Sequence, residues 1–526
     1  MELLLLNRLG EWNPQLFREL KGLSKPRHLL LTVATSLVGQ FLILVPSFEQ
    51  YCVSSAGNDC AQLGWEIQWT FVYRTLNWIL PFFLLVGGVY LLISNLGKEE
   101  RQGTLNFIRL SPQLSQSILI GKLLGVPALL YLGIGLAIPL HAVSALAESL
   151  PFNWILGIYI LWGAGCCLFY SAAILILLNG SQGGIQYETW GGTFLASLLG
   201  LFYISLIDFS FKWYQSGSGL GNWDWFWLPL GRLPDLLFGW ILVTLSVGTY
   251  WIWQACNRLF HNPSGTILSK SQSYWLVGSF QLWLLGFAIP QINSIPSEFQ
   301  VLWGYAALCV LTPILFIILN AALSPRRQAL QDWACYQRHN HSPHKSFWHH
   351  SLVQDLIRGE KSPALVAIAI NLLITTAIWM PWILLGLTQV KSEGNFTSLT
   401  IFLGWLLTLN VTLIYAAIAQ ILLFMRKSQR WLWATGTLGT LIGLPVIGAF
   451  LHLEPLQIPL LGLFFPLPVL TLTNASAPTI LLGFLAQLSI LGLLTLQLTR
   501  QLRKAGESAS KALFVEQSSL PSDRLT

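Results

Sequence analysis

Twelve stretches of at least 19 residues contain no Asp, Glu, Lys or Arg: 28–48, 75–97, 123–147, 149–187, 189–207, 236–257, 271–297, 299–325, 362–390, 394–425, 431–453 and 455–499. A helix needs about 20 apolar residues to cross the hydrocarbon core of a bilayer. Lipid offers the backbone no hydrogen-bonding partner, so each stretch reads as a helix that satisfies its own polar groups. Charged residues make up 10% of this 526-residue chain, against about 25% in soluble domains. No soluble fold of this length hides so much apolar surface. The expected fold class is therefore all-α: a polytopic transmembrane helix bundle with about 12 spans. The longest stretch holds Pro455, Pro459, Pro466, Pro468 and Pro478. It reads as a broken or re-entrant entry followed by one span from about Thr479 to Thr499.

Charge sets the orientation. With the N-terminus inside, 25 of the 29 Lys and Arg fall in inner segments, and only Arg74, Lys212, Arg232 and Lys391 fall outside. The 22 acidic residues divide 12 inside and 10 outside. Basic residues are retained on the cytoplasmic side, so both termini are expected in the cytoplasm. The basic residues spread over several inner segments instead of one patch, so the net charge of +7 needs no nucleic-acid partner. Leu3–Leu6 is too short for the core of a cleavable signal, and the first span is expected to direct insertion.

The expected organisation follows. Residues 1–28 form a cytoplasmic interfacial helix: Asn13 caps it, Pro14 opens it, Leu16, Phe17 and Leu20 make its apolar side, and Arg18, Glu19 and Lys21 oppose them. Residues 29–257 hold six spans, 258–325 two more, 326–361 a cytoplasmic His-rich linker, 362–500 a four-span second unit, and 501–526 a cytoplasmic tail. The approach Leu16 to Pro26 is echoed at Leu356 to Pro363, each a charged run ending in Pro before an apolar helix. Transporters are often built from repeats, although any basic helix entry looks similar.

Several chemistries are missing. No G-x-x-x-x-G-K-[ST] loop is present, so ATP phosphates cannot be held in that manner. Neither H-E-x-x-H nor paired Cys-x-x-Cys occurs. His141 is the one clear ionisable group well inside a stretch, and it reads as a packing residue. His339, His341, His344, His349 and His350 cluster near Cys335, but their spacing matches no structural zinc motif; the segment reads as a solvated loop and no metal is expected. Cys52 and Cys60 share the first outer loop and read equally as a disulfide or as two free thiols. Trp213, Trp223, Trp225, Trp227 and Phe226 in the loop 211–234 read as headgroup anchors.

The segment 98–113 carries the functional information. It runs Lys98-Glu-Glu-Arg-Gln-Gly-Thr-Leu-Asn-Phe-Ile-Arg-Leu-Ser-Pro-Gln113 and leads to Gly121-Lys-Leu-Leu. Here the chain resembles the ABC type-2 permeases, the membrane subunits of ATP-driven exporters. The matching positions are Glu99, Glu100, Gly103, Thr104, Leu105, Pro112, Gly121 and Lys122, and the likeness extends over residues 12 to about 257. The link 426–430 between the tenth and eleventh spans has no such element. The resemblance implies a short coupling helix that docks on a separate ABC ATPase subunit. Leu105, Phe107 and Ile108 would enter a groove, and Glu99, Glu100, Arg101 and Arg109 would make polar contacts. ATP would bind that partner, and this chain would carry no cofactor. A second permease or a second copy of this chain could complete the path, in a bacterial plasma membrane. The competing reading is a multispan enzyme acting on a lipid-linked substrate, for which Glu49, Asp59, Glu66 and Asp224 are available without recognisable spacing.

Overall fold

The computed structural model describes residues 10–56, 59–179, 185–216, 224–289, 298–339, 351–389, 398–425, 430–450, 462–464 and 477–518. The chain is mostly helical and divides into two compact units. The first comprises residues 1–222 and 230–263, and the second comprises 223–229 and 264–526. Each of the twelve charge-free stretches holds helix. Among the described residues, nine helices are long and apolar enough to cross a membrane.

In the first unit, α1 (Pro14–Leu23) lies ahead of α2 (Pro26–Leu44). Two antiparallel strands follow, β1 (Phe48–Ala56) and β2 (Asp59–Ile67), an element that the all-α expectation lacked. In their register Cys52 stands opposite Leu63 and Cys60 opposite Ser55. The two cysteines are thus staggered and are not register partners; their side chains lie outside the described residues.

Next come α3 (Trp69–Phe82), a π-turn at Phe83–Gly87 and α4 (Gly88–Arg101), which together run 33 residues. At 1.5 Å per residue this rod is about 50 Å long, about 20 Å longer than a 30 Å hydrocarbon core. Pro81 lacks the N–H that an unbroken helix would use. The distortion is stabilised from a neighbouring span, because the Tyr170 hydroxyl donates to the Leu84 carbonyl at 2.5 Å.

A single turn of helix, α5 (Thr104–Arg109), then leads to a third span in three pieces: α6 (Ser115–Gly125), α7 (Ala128–Gly135) and α8 (Ile138–Ala147). Pro127 and Pro139 lie at the two breaks. The remaining spans of this unit, α9 (Phe152–Asn179), α10 (Ile185–Ser216) and α11 (Pro234–His261), are continuous. α9 packs along α11, and α10 packs on α4. His141, on α8, is fully buried among Tyr73, Tyr159 and Trp162, in keeping with a packing residue.

The second unit contains α12 (Lys270–Ala288), α13 (Glu298–Leu323), α14 (Arg327–His339), α15 (Ser351–Arg358), α16 (Leu365–Gln389), α17 (Ser398–Leu423), α18 (Arg430–Phe450) and α19 (Ala477–Ser518). The helices of 258–325 and of 362–500 pack together in this one unit: α12 lies on α16, and α13 on α17. Val310–Leu323 and Arg327–Tyr336 meet at a 69° bend. Trp225 is no free headgroup anchor, since its indole N–H donates to the Trp283 carbonyl at 2.9 Å and the neighbouring Phe226 N–H donates to that of Gly286 at 2.7 Å. His341, His344, His349 and His350 of the His-rich segment lie outside the described residues.

Candidate functional site

The first unit gathers its polar chemistry where α1, the end of α4 and the start of α6 meet. The Asn13 side chain accepts from the Leu16 N–H at 3.0 Å and caps α1. Its amide also donates to the Ser117 carbonyl at 2.7 Å, which ties the cap to α6. Two glycines one helical turn apart, Gly121 and Gly125, let α1 approach. A Cβ at Gly121 would sit 2.9 Å from the Leu16 backbone nitrogen, and one at Gly125 would sit 2.6 Å from the Glu19 Cβ.

Lys122 lies between these glycines, and its side chain is only 1% exposed. Its Nζ donates to Glu19 Oε1 and to Glu99 Oε1, both at 2.6 Å, and to Asn95 Oδ1 at 3.1 Å. An ammonium has three N–H groups, and all three are used. Arg18 Nη2 closes the set on Glu99 Oε1 at 2.7 Å. Two cations thus face two carboxylates, and the cluster is neutral. Neutrality is what makes its burial tolerable, since an uncompensated buried ion costs several kcal/mol. α1 is therefore bolted to the end of α4 and to α6, and Glu19 turns to Lys122 instead of to water.

The loop itself is built as a short stiff projection. Gly103 has φ +72°, a left-handed conformation that glycine adopts without strain. The Thr104 hydroxyl donates to the Glu99 carbonyl at 3.1 Å. Arg101, Thr104 and Pro112 are exposed, and Glu100 is half-buried. Leu105 and Ile108 are not the outward face expected of them. They are 2% and 8% exposed, because the single turn of α5 folds them onto the chain itself. The apolar groups left outward are Phe107, Leu110 and Leu114, the first two 78% and 85% exposed.

The far side of the loop is fastened to the end of α11. The Arg109 guanidinium lies 5.7 Å from the centre of the Phe260 ring. Burial lowers the pKa of Arg109, and the Glu100 carboxylate opposes that shift. The Ser115 hydroxyl meets Asn257 Oδ1 and, at 3.0 Å, His261 Nε2.

No known family model matches this chain, and neither does any curated protein or solved structure. The site thus rests on its own geometry. Of the residues singled out in the sequence, Glu99 and Lys122 meet directly, Gly103 makes the turn, and Leu105 and Ile108 anchor it. Sequence reasoning missed Asn13, Arg18, Glu19, Asn95, Gly125, Ser115, Asn257 and His261 as parts of this assembly. The available signal was a lone lysine at the mouth of an apolar run, flanked by glycines four apart. What the arrangement supplies is a junction that ties α1, the end of α4 and α6 to one another.

Proposed function

We propose that this chain is the membrane subunit of an ATP-driven exporter of the ABC type-2 permease kind, with hydrolysis in a separate ATPase chain. It would sit in a bacterial plasma membrane with twelve spans and both ends inside. The observation that carries the reading is the loop 98–113, held by the Lys122 cluster and presenting Phe107 and Leu110. A partner that grips those side chains would push on a rigid assembly. The spans on either side of the loop are irregular, with a π-turn after Pro81 in one and a break at Pro127 in the other, which suits helices that bend, whereas α9, α10 and α11 are continuous. Binding energy concentrates in a few apolar anchors, so the exposed pair matters most.

The test is gentle purification of the full chain from its own membranes, reading co-purified ATP hydrolysis per permease. The double variant Phe107→Asp, Leu110→Asp should insert normally and lose at least tenfold of that activity. Leu105→Asp with Ile108→Asp should instead lower thermal stability, because both side chains are buried in the chain. A Phe107→Asp, Leu110→Asp protein that keeps its full ATPase complement would sink the exporter reading. The lipid-linked enzyme reading would then lead.

A further inference from the structure

The elbow between α1 and α2 gathers positive charge with no carboxylate to balance it. α1 ends at Leu23 and α2 opens at Pro26, so only Ser24 and Lys25 lie between them. Lys25 is extended, at φ −66° and ψ 132°, as the proline ring after it requires, which stiffens the turn. Lys21, Lys25 and Arg27 are exposed around this elbow. They make no ion pair among the described residues. Glu19 is taken by Lys122, and the next acidic residue along the chain is Glu49.

The surroundings of these cations point to lipid. α2 has no buried residue, and Leu30 and Leu31, 73% and 64% exposed, follow Arg27 within about one turn. The apolar stretch Pro26–Ser47, 22 residues at a mean hydropathy of 2.0, is long enough to cross a bilayer. Its basic first turn therefore falls where hydrocarbon gives way to headgroups. On α1, Gln15 and Leu16 are buried, while Phe17 and Leu20 are half-buried. The Lys21 ammonium lies 5.8 Å from the centre of the Phe17 ring. Such a pairing lets an interfacial helix sink its apolar flank while the ammonium stays at headgroup level. The entry to the second unit differs. There Arg358 and Lys361 are matched by Asp355 and Glu360, so that approach is neutral.

We infer that the α1–α2 elbow is a docking surface for anionic phospholipid headgroups. An anionic leaflet attracts basic segments beside a span. Its phosphates accept charge-assisted hydrogen bonds from Lys21, Lys25 and Arg27, and its acyl chains lie along Leu30 and Leu31. α1 is joined to α4 and α6 through Glu19, Glu99 and Lys122, so the lipid holds that junction from its open side. The contact is read on this chain alone and needs no ATPase, so it holds or fails separately from the exporter reading. The proposed orientation decides only which leaflet it faces.

The experiment places the full-length protein in phosphatidylcholine nanodiscs with a trace of diazirine-bearing phosphatidylglycerol and maps the cross-links by mass spectrometry. Labels on residues 17–31 should exceed, at least fivefold, those from a phosphatidylcholine probe with the same chains. Raising salt from about 0.1 M to about 1 M shortens the Debye length from about 10 Å to about 3 Å and should erase most of that excess. Lys21→Gln with Lys25→Gln and Arg27→Gln should remove it and leave the phosphatidylcholine labels unchanged. Arg358→Gln with Lys361→Gln should leave it intact, and inorganic phosphate should not displace the probe. Equal labelling by the two probes would overturn the surface. So would an excess that survives high salt or the triple substitution, displacement by inorganic phosphate, or an equal excess at residues 353–363. Should the triple variant not insert, the two probes and the salt series on the unaltered protein decide.

Discussion

Lys122 shows how much one side chain can hold. It touches two helices besides its own, through Glu19 on α1 and through Asn95 and Glu99 on α4. Truncating one member of a buried ionic set leaves its partners uncompensated, which costs about 3–5 kcal/mol, whereas removing charge in balance costs far less. Lys122→Met should therefore destabilise the protein strongly in thermal unfolding. Adding Glu99→Gln should restore a large part of the loss, because Arg18 and Glu19 then remain as a balanced pair. A double variant no more stable than Lys122→Met alone would show that packing, not charge, holds the junction. The apolar-run pattern marks Lys122 only as the edge of a span; its partners lie 23 and 103 residues away, where periodicity carries no information.

At the scale of elements, the junction of α1 with α6 depends on the absence of side chains at Gly121 and Gly125. Gly125→Leu would drive a branched side chain into Glu19 and force α1 off its seat. Overpacking of this kind costs about 1–3 kcal/mol. Gly135 on α7, with nothing near its position, is the control: Gly135→Leu should be tolerated. The check is protease accessibility of α1, which should rise for Gly125→Leu and stay unchanged for Gly135→Leu. A related device recurs in the second unit. The short amphipathic α15 precedes α16 as α1 precedes α2, and it too is fastened by a buried lysine. Lys270 Nζ donates to the Leu356 carbonyl at 2.7 Å and to the Ser362 hydroxyl at 2.5 Å. The sequence echo at Leu16 and Leu356 thus has a physical counterpart, with different partners: carboxylates in the first unit, a helix end and a hydroxyl in the second.

For the whole molecule, the expected topology is tested from outside. The twelve spans expected from the sequence, with 25 inner and 4 outer basic residues, would place Ser218 and Lys391 on one side of the membrane and Gln337 on the other. Single cysteines near Ser218 and Lys391 should react with an impermeant thiol reagent in intact cells, and one near Gln337 should not. Reaction at Gln337 would discard the arrangement. Each compact unit has its own polar interior of a different kind. The first concentrates charge at the loop after its second span. The second buries neutral amides along its spans, with Gln281 paired to Trp379 and Asn371 to Ser273.

The sequence by itself determined where the helices run. Each of the twelve charge-free stretches holds helix, and the left-handed bend after α4 falls on a glycine, Gly103, because lipid and backbone chemistry act on residues close in the chain. It also marked 98–113 as unlike an ordinary loop. Which way that loop faces was decided only by the tertiary structure. Leu105 and Phe107 are both apolar and two residues apart, yet one is buried and the other exposed, since α5 folds back against α4. The ion cluster and the bond from Tyr170 to the Leu84 carbonyl were likewise settled by contacts between distant segments. A proline or an amide in an apolar run has the same local meaning whether a neighbour satisfies it or not; only the packed neighbour distinguishes a strained position from a held one.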